Sequence, residues 1–349
     1  FDNQATHFDV PLGNGVYRLV HPDHSEAGLL KYGAVDECSK LNINTATQDM
    51  LLRLPQAETT PEIIDCILDW RDEDQDPREF GAEDEYYMTL DEPYLTKNTL
   101  FDTLDELMIV KDMSVSLLYG EDINTNGIME NNENDAELTY PFDNADGSLD
   151  KGWYPFLTCF SYEKNTDGQG ESRVNINSAN KQAMQETFGD ALEERDIDNI
   201  IQQRDNTQFQ SIGNLLDVNG INKEKFIEIA DQVTISDEER LMGRININTA
   251  PTEVLRCLFG TENEDLVQAI IEFRASSDGP FENVGQLLDV KGMDNTQFKN
   301  VANLICTKSS VFSIRAIGYI EQSKTYKEIF AIVDRGETPP QIRYWKVIR

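Results

Sequence analysis

One hexapeptide recurs three times in this chain. Leu41-Asn42-Ile43-Asn44-Thr45-Ala46 returns as Val174-Asn175-Ile176-Asn177-Ser178-Ala179 and as Ile245-Asn246-Ile247-Asn248-Thr249-Ala250. A repeat of this kind constrains the fold more than any single residue does, because each copy specifies one supersecondary unit. An arginine closes an apolar-periodic run after each copy, and the offsets Asn42 to Arg71, Asn175 to Arg204 and Asn246 to Arg274 are 29, 29 and 28 residues. A third block also matches: Phe209, Ile212, Leu215, Val218 and Gly220 correspond to Phe281, Val284, Leu287, Val290 and Gly292. In the first copy the same spacing selects Phe101, Leu104, Leu107, Val110 and Asp112.

Each unit reads as a helical module. Thr45, Ser178 and Thr249 are expected as N-caps, since their hydroxyls accept from free backbone N–H groups one turn on, with Pro251 in the first turn of its helix. The run before each arginine places apolar residues on one helical face. The Phe-to-Val block is expected as a second, shorter helix with Gly220 or Gly292 as C-cap. The repeat alone calls for packing, not chemistry.

The termini differ. Val16–Val20 and Leu29–Val35 are β-like, with His21-Pro22-Asp23-His24 expected as a solvated loop between them. Val311–Ile320, Thr325–Val333 and Gln341–Ile348 predict an antiparallel meander that takes further strands from residues 15 to 36 and needs a helix on its apolar face. Trp153–Tyr162 reads as a strand and Asn165–Gly170 as a turn. After Arg71 an acidic insertion begins, Asp72–Pro77, which Tyr86, Tyr87 and Tyr94 should pin to the domain and whose carboxylates need a cation or Arg71 and Arg78.

A formal net charge of −34 over 349 residues argues against nucleic acid and anionic membrane surfaces. No apolar run is long enough to span a bilayer. Cys38, Cys66, Cys159, Cys257 and Cys306 include no C-x-x-C pair. Cys38 with Cys66 and Cys257 with Cys306 can be drawn as bridges, and buried thiols serve equally. With three histidines and no nucleophile motif or phosphate loop, an enzyme is not expected.

The segment with chemistry is Asp122 to Glu133. It fits the calcium-loop pattern, D-x-[DN]-x-[DN]-G with a glutamate after five further residues. Asp122, Asn124 and Asn126 present oxygens around a tight turn, Gly127 permits the reversal, and Ile128 offers its carbonyl. Glu130 binds directly or through water, and Glu133 can bind with both oxygens. The residues before Asp122 supply at most two helical turns, so an isolated calcium-stabilised loop is expected, with Asp135 and Asp72–Asp76 as further oxygen donors.

Several stretches carry a family resemblance. Asp36-Glu37-Cys38-Ser39-Lys40 leads into the first Asn-Ile-Asn block. Leu68-Asp69-Trp70-Arg71-Asp72, Gly81-Ala82-Glu83-Asp84-Glu85-Tyr86-Tyr87 and Leu104-Asp105-Glu106-Leu107 follow in order. Together with the repeats these resemble the K-type minor pseudopilins of bacterial type II secretion systems, whose helical part is built of helix-hairpin-helix-like repeats. The resemblance implies an α+β fold: a pilin-like antiparallel β-sheet domain with a large inserted helical domain. The expected division is 1–40 and 309–349 for the pilin-like part, 41–136 for the first repeat with its insertion and calcium loop, 137–173 for a β-rich connection, and 174–308 for repeats two and three. It also implies calcium in the helical domain and no enzymatic activity. The place would be the pseudopilus tip with I-type and J-type minor pseudopilins, starting or capping assembly, with secreted proteins as further partners. It implies an inner-membrane anchor helix ahead of Phe1, with the remainder in the periplasm. Two other readings stay open: a DNA-uptake or DNA-binding receptor, and a calcium-dependent extracellular binding module. For DNA, Gly220-Ile221-Asn222 and Gly292-Met293-Asp294 lack the second glycine of the phosphate-binding hairpin turn, and Asp294 would face a phosphate.

Overall fold

The computed structural model describes residues 3–22, 30–56, 59–136, 138–141 and 143–348. The chain divides into two compact units, residues 1–161 with 310–349, and residues 162–309. The first repeat therefore clusters with the terminal strands, and the division falls inside the 137–173 segment.

In the first unit, five strands form a continuous antiparallel path: Val10–Leu12, Gly15–Pro22, Val311–Ile320, Thr325–Asp334 and Gln341–Val347. Leu30–Tyr32 joins Gly15–Pro22, and Val35–Asp36 joins Val311–Ile320. The expected meander and its N-terminal partners are thus present, but two boundaries move. His21 and Pro22 are strand, paired with Lys31 and Leu30, instead of loop, while Asp23, His24 and Leu29 lie outside the described residues. The single run expected to end at Val35 is two short strands, broken at Gly33, whose φ of 143° leaves extended geometry. Strand alternation sorts the side chains. Phe330 and Tyr344 face Phe160. Ile329 and Val347, paired across the sheet, and Trp345 lie on the other face, and all three are exposed.

The repeats overlay in chemical detail. In each, the side-chain oxygen of the first Asn accepts from the N–H of the second: Asn42 from Asn44 at 2.9 Å, Asn175 from Asn177 at 2.9 Å, Asn246 from Asn248 at 3.0 Å. The second Asn then grips the backbone of the matched Phe through both amide atoms. Asn44 donates to Phe101 O at 3.0 Å and accepts from its N–H at 2.7 Å. Asn177 does the same with Phe209, 2.9 and 2.9 Å, and Asn248 with Phe281, 2.9 and 2.8 Å. The matched arginine, in the last turn of helix Pro61–Arg71, Glu194–Asn206 or Glu264–Ala275, donates to two carbonyls of the hexapeptide. These are Ile43 and Ala46 for Arg71, Ile176 and Ala179 for Arg204, Ile247 and Ala250 for Arg274. A side chain with five donors and no acceptor suits a turn that presents only carbonyls.

Each module is closed by a two-residue parallel ladder, Leu41–Asn42 with Leu157–Thr158, Val174–Asn175 with Val233–Thr234, and Ile245–Asn246 with Ile305–Cys306. The expected Trp153–Tyr162 strand is accordingly a 3-10 turn, Tyr154–Phe156, and then the first closing ladder, with a separate strand at Tyr162–Lys164. Pro155 sits inside that turn and removes a ladder donor. The helix caps also differ. Thr47 and Asn180 cap the helices expected at Thr45 and Ser178, and Pro251 occupies the cap position itself, one residue before its helix. The reason is that the Asn42-type turn uses the next residues before helix can begin: Thr45 N donates to Asn42 O, as Ser178 N does to Asn175 O and Thr249 N to Asn246 O. The Phe-to-Val blocks are 3-10 helices, Leu104–Ile109, Ile212–Asp217 and Val284–Asp289. Gly220 and Gly292 turn left-handed at φ 95° and 94°, and Asp112 takes the same place at φ 64°. Short helices follow at Val115–Tyr119, Lys223–Ile229 and Asn295–Val301.

The insertion is pinned by aromatic rings as expected. Trp70, Tyr87 and Tyr94 pack together, with Trp70 to Tyr87 at 5.3 Å and Tyr87 to Tyr94 at 5.1 Å. Arg78 pairs with Asp69 and Asp72, while Arg71 serves the hexapeptide instead. All five cysteines are buried thiols.

Candidate functional site

The Asp122–Glu133 loop follows helix Val115–Tyr119, which Ser114 caps and Gly120 ends at φ 62°. Its oxygens first organise its own backbone. Asp122 Oδ1 accepts from Asn126 N at 2.9 Å and Oδ2 from Gly127 N at 2.8 Å. Asn124 Oδ1 accepts from Asn126 N at 3.0 Å, and Asn126 Oδ1 from Ile128 N at 2.6 Å. Short Asp and Asn side chains form such turns readily, and each oxygen keeps a lone pair for a further partner. Gly127 has φ 67°, and a Cβ there would lie 2.3 Å from the Pro22 Cβ, so the position excludes every side chain.

Asn126 Nδ2 donates to Glu130 Oε1 at 3.3 Å, and Glu130 N to Glu133 Oε2 at 2.8 Å. The residues brought together are therefore Asp122, Asn124, Asn126, Glu130 and Glu133. The Ile128 side chain is exposed. After the loop comes a single 3-10 turn, Asn131–Glu133, so one short helix and one turn flank it.

The electrostatics are those of crowded buried carboxylates. Asp122, Glu133 and the adjoining Glu121 are all buried. Burial pushes the Asp122 carboxyl above its ordinary range, and the Gly127 and Asn126 amides and Arg315 oppose that shift. Burial also raises Glu133, reinforced by the charges of Asp122, Glu130 and Glu121, and it raises Glu121. Crowded oxygen donors of this kind suit a hard cation, which calls for six to eight oxygens. Asp122, Asn124, Asn126, Glu130 and Glu133 are the residues that would hold it, and its charge would offset their mutual repulsion.

Two participants carry no local sequence signal. Arg315, on the Val311–Ile320 strand, donates to the Thr125 and Asn124 carbonyls and pairs with Glu328, fastening the loop to the sheet. Glu121 accepts from the backbone N–H groups of Asn144 and Asp150, at 3.4 and 3.0 Å, and ties the loop to the segment that follows it. Among the described residues no three His, Cys, Asp or Glu side chains form a metal cluster, so neutral Asn oxygens are needed to complete this set.

The hairpin turns of the second unit were the other candidates. At Gly220 a Cβ would lie 2.3 Å from Asp196 Oδ1, and Lys225 is already paired with Asp196 at 2.5 Å. At the second turn Asp294 caps helix Asn295–Val301 by accepting from Gln297 N. Both turns therefore carry a carboxylate.

Residues 35–119 match the family "Type II secretion system (T2SS), protein K". Over these residues the chain is similar to protein K of type II secretion. The matched residues hold the first Asn-Ile-Asn module, the Trp70–Arg71 helix end and the acidic insertion, the stretches that carried the resemblance. The fold is accordingly that of the family expectation, helices with an antiparallel sheet. Residues 242–306 match the helix-hairpin-helix motif, and these residues form the third module. The chain is also similar to a chain of the GspK–GspI–GspJ complex from the type 2 secretion system of enterotoxigenic Escherichia coli, at 12% identity and a TM-score of 0.46, covering 97% of this chain and 81% of that one. No curated protein matches it in sequence. No helix among the described residues is long and apolar enough to cross a membrane.

Proposed function

We propose that this protein K relative works as a non-enzymatic minor pseudopilin at the tip of a type II secretion pseudopilus, starting or capping its assembly with I-type and J-type minor pseudopilins. The match of residues 35–119 to protein K carries the reading. The similar GspK–GspI–GspJ chain assembles, by its printed title, with partners of those types. The physical rationale for capping is bulk: a helical part of three modules is large enough to obstruct the addition of a further subunit. In this reading an anchor helix holds the protein in the inner membrane and the described residues stand in the periplasm, where secreted proteins are further partners.

The same proposal includes calcium on Asp122, Asn124, Asn126, Glu130 and Glu133, with the Ile128 carbonyl as a further ligand. The ion would brace the loop that Arg315 fastens to the sheet. The DNA-receptor reading has the helix-hairpin-helix match of residues 242–306 in its favour. Against it stand the carboxylates at both hairpin turns and the net charge of −34, since backbone affinity for DNA comes from Lys and Arg displacing counterions.

The test is co-purification of the chain with the soluble parts of I-type and J-type pseudopilins from the same source. A stable ternary complex supports the reading. Absence of any complex at tens of micromolar, together with salt-sensitive duplex DNA binding, would replace it with the receptor.

A further inference from the structure

The second and third modules cover each other reciprocally. The 3-10 helix Ile212–Asp217 packs on Asn295–Val301, and Val284–Asp289 packs on Lys223–Ile229. Each 3-10 helix ends on an aspartate paired with a lysine of the other module, Asp217 with Lys299 at 2.5 Å and Asp289 with Lys223 at 2.6 Å. Phe226 and Phe298 meet edge to face between them, with centroids 5.4 Å apart. The exterior that results is polar: among the described residues of 162–309, Met242 alone is a large apolar side chain left exposed.

The first module departs from this pattern at the matched positions. Ile109 stands where the other two carry Asp217 and Asp289, and it is 48% exposed. Asp105 stands where they carry Gly213 and Gly285. A Cβ at Gly213 would lie 3.0 Å from Lys299 Cα, and one at Gly285 2.9 Å from Ala230 Cβ, so a further module cannot dock on the first as those two dock on each other. Near Ile109 the chain also exposes Tyr86, Met88 and Leu95, at 37%, 53% and 61%. Three contacts put this stretch and Ile109 on one surface. Tyr94 OH donates to the Ile109 carbonyl at 2.6 Å, Lys111 N donates to Tyr87 OH at 3.1 Å, and Lys111 Nζ lies 4.9 Å from the centre of the Tyr86 ring. Scattered apolar side chains are ordinary on a surface, whereas a contiguous group with a polar rim marks an interaction site. The rim here is acidic: Glu85, Asp91, Glu92 and Asp112 are all exposed. Lys97 is held by Asp102 and Glu106, and Lys111 rests on Tyr86, a ring that thereby already accepts a cationic head.

We propose that Tyr86, Met88, Leu95 and Ile109 form a docking surface for a basic amphipathic segment of another protein. Its apolar side chains cover Ile109, Leu95 and Met88, and its lysine or arginine heads reach the Tyr86 ring and the carboxylates of Glu85, Asp91 and Glu92. Charge selects this occupant. A second copy of the chain brings a net charge of −34 and is repelled, as are nucleic acid and anionic lipid. The surface shares no residue with the Asp122–Glu133 loop, and its binding is read on the chain alone, apart from any pseudopilin complex.

The experiment titrates the full chain, in calcium at physiological salt, into three fluorescently labelled helical peptides of one length and pattern. One is built of leucine and lysine, one of leucine and glutamate, and one of serine and lysine; binding is read by anisotropy. The leucine–lysine peptide should bind at micromolar concentration, the serine–lysine peptide at least about tenfold more weakly, and the leucine–glutamate peptide not at all. Leu95→Ser with Ile109→Asp should weaken the leucine–lysine peptide about tenfold at an unchanged melting temperature, since both positions are exposed and the other two modules carry aspartate at the second. Glu85→Lys with Glu92→Lys should weaken it as well and admit the leucine–glutamate peptide, a gain that a misfolded protein would not show. Equal affinity of wild type and the Leu95→Ser, Ile109→Asp variant for the leucine–lysine peptide would overturn the proposal. So would a serine–lysine peptide that binds as tightly as leucine–lysine, which would reduce the effect to attraction by net charge. A dimer of the chain in sedimentation that Ile109→Asp dissolves would assign the surface to a second copy and overturn it too.

Discussion

Replacing Asn177 by Ala removes a two-point grip on the backbone of Phe209. Asn177 Nδ2 donates to Phe209 O and Oδ1 accepts from Phe209 N, both at 2.9 Å. Phe209 itself is buried, so its peptide group gains little from water once the amide is gone. A hydrogen bond contributes about 0.5–1.5 kcal/mol net, and a buried group left without a partner costs about 1–3 kcal/mol. Asn177 is only half-buried, which lets water reach part of the gap, so the expected loss lies at the low end of the sum, about 2–3 kcal/mol. The assay is urea unfolding of the full chain with hydrogen exchange read at Phe209 and neighbouring amides. Because the chain has two compact units, exchange assigns the loss to the right one. Asn44→Ala and Asn248→Ala should behave alike, since both make the same pair of bonds. Asn177→Ala with stability within about 0.5 kcal/mol of wild type, and unchanged exchange at Phe209, would refute the claim that the second Asn of each hexapeptide holds its module together.

Three further outcomes are expected. Chelation should lower the melting temperature and expose the Asp122 loop to protease, with Asp122→Ala plus Glu133→Ala mimicking it; calcium at a hundredfold excess over Kd should add about 2.7 kcal/mol, and equal melting curves with calcium and chelator would refute the loop site. Burial and the surrounding carboxylates raise Glu83 to about 7, and a carboxyl raised on folding contributes stability that is full below its unfolded value and lost as pH rises through the folded one. The wild type should therefore lose stability between about pH 5 and 8, and Glu83→Gln should abolish that slope, as thermal melts across that range will show; equal slopes in the two proteins would refute the assignment to Glu83. Gly127→Ala should destabilise the chain by at least ~1 kcal/mol, because it adds left-handed strain to a 2.3 Å clash with Pro22, and a melting temperature equal to wild type would contradict the packing described at that turn.

The modules were readable because their repeated residues serve the backbone. Asn and Arg recur at nearly constant spacing, and the matched Phe follows at 32 or 33 residues from the second Asn except where the insertion stretches that distance to 57, since each completes a bond or fills a core position that side chains of other shapes cannot. The caps were displaced because a hydroxyl at Thr45 or Ser178 looks like a cap, whereas the preceding Asn turn postpones the helix to Gln48 and Lys181. Closing ladders of two residues have no periodicity to detect, and Leu157–Thr158 was absorbed into an aromatic run. The Asp122 loop was visible because its oxygens are contiguous. Arg315 was not, lying 190 residues from the Thr125 carbonyl it binds.

Native mass spectrometry of the chain mixed with I-type and J-type pseudopilins in calcium separates the pseudopilin from the DNA receptor. A discrete complex with one copy of each is the predicted result, and it should weaken when the Asp122 loop is disabled by Asp122→Ala and Glu133→Ala. A chain that stays alone with both partners present, and that instead retains duplex DNA at physiological salt, would contradict the pseudopilin reading.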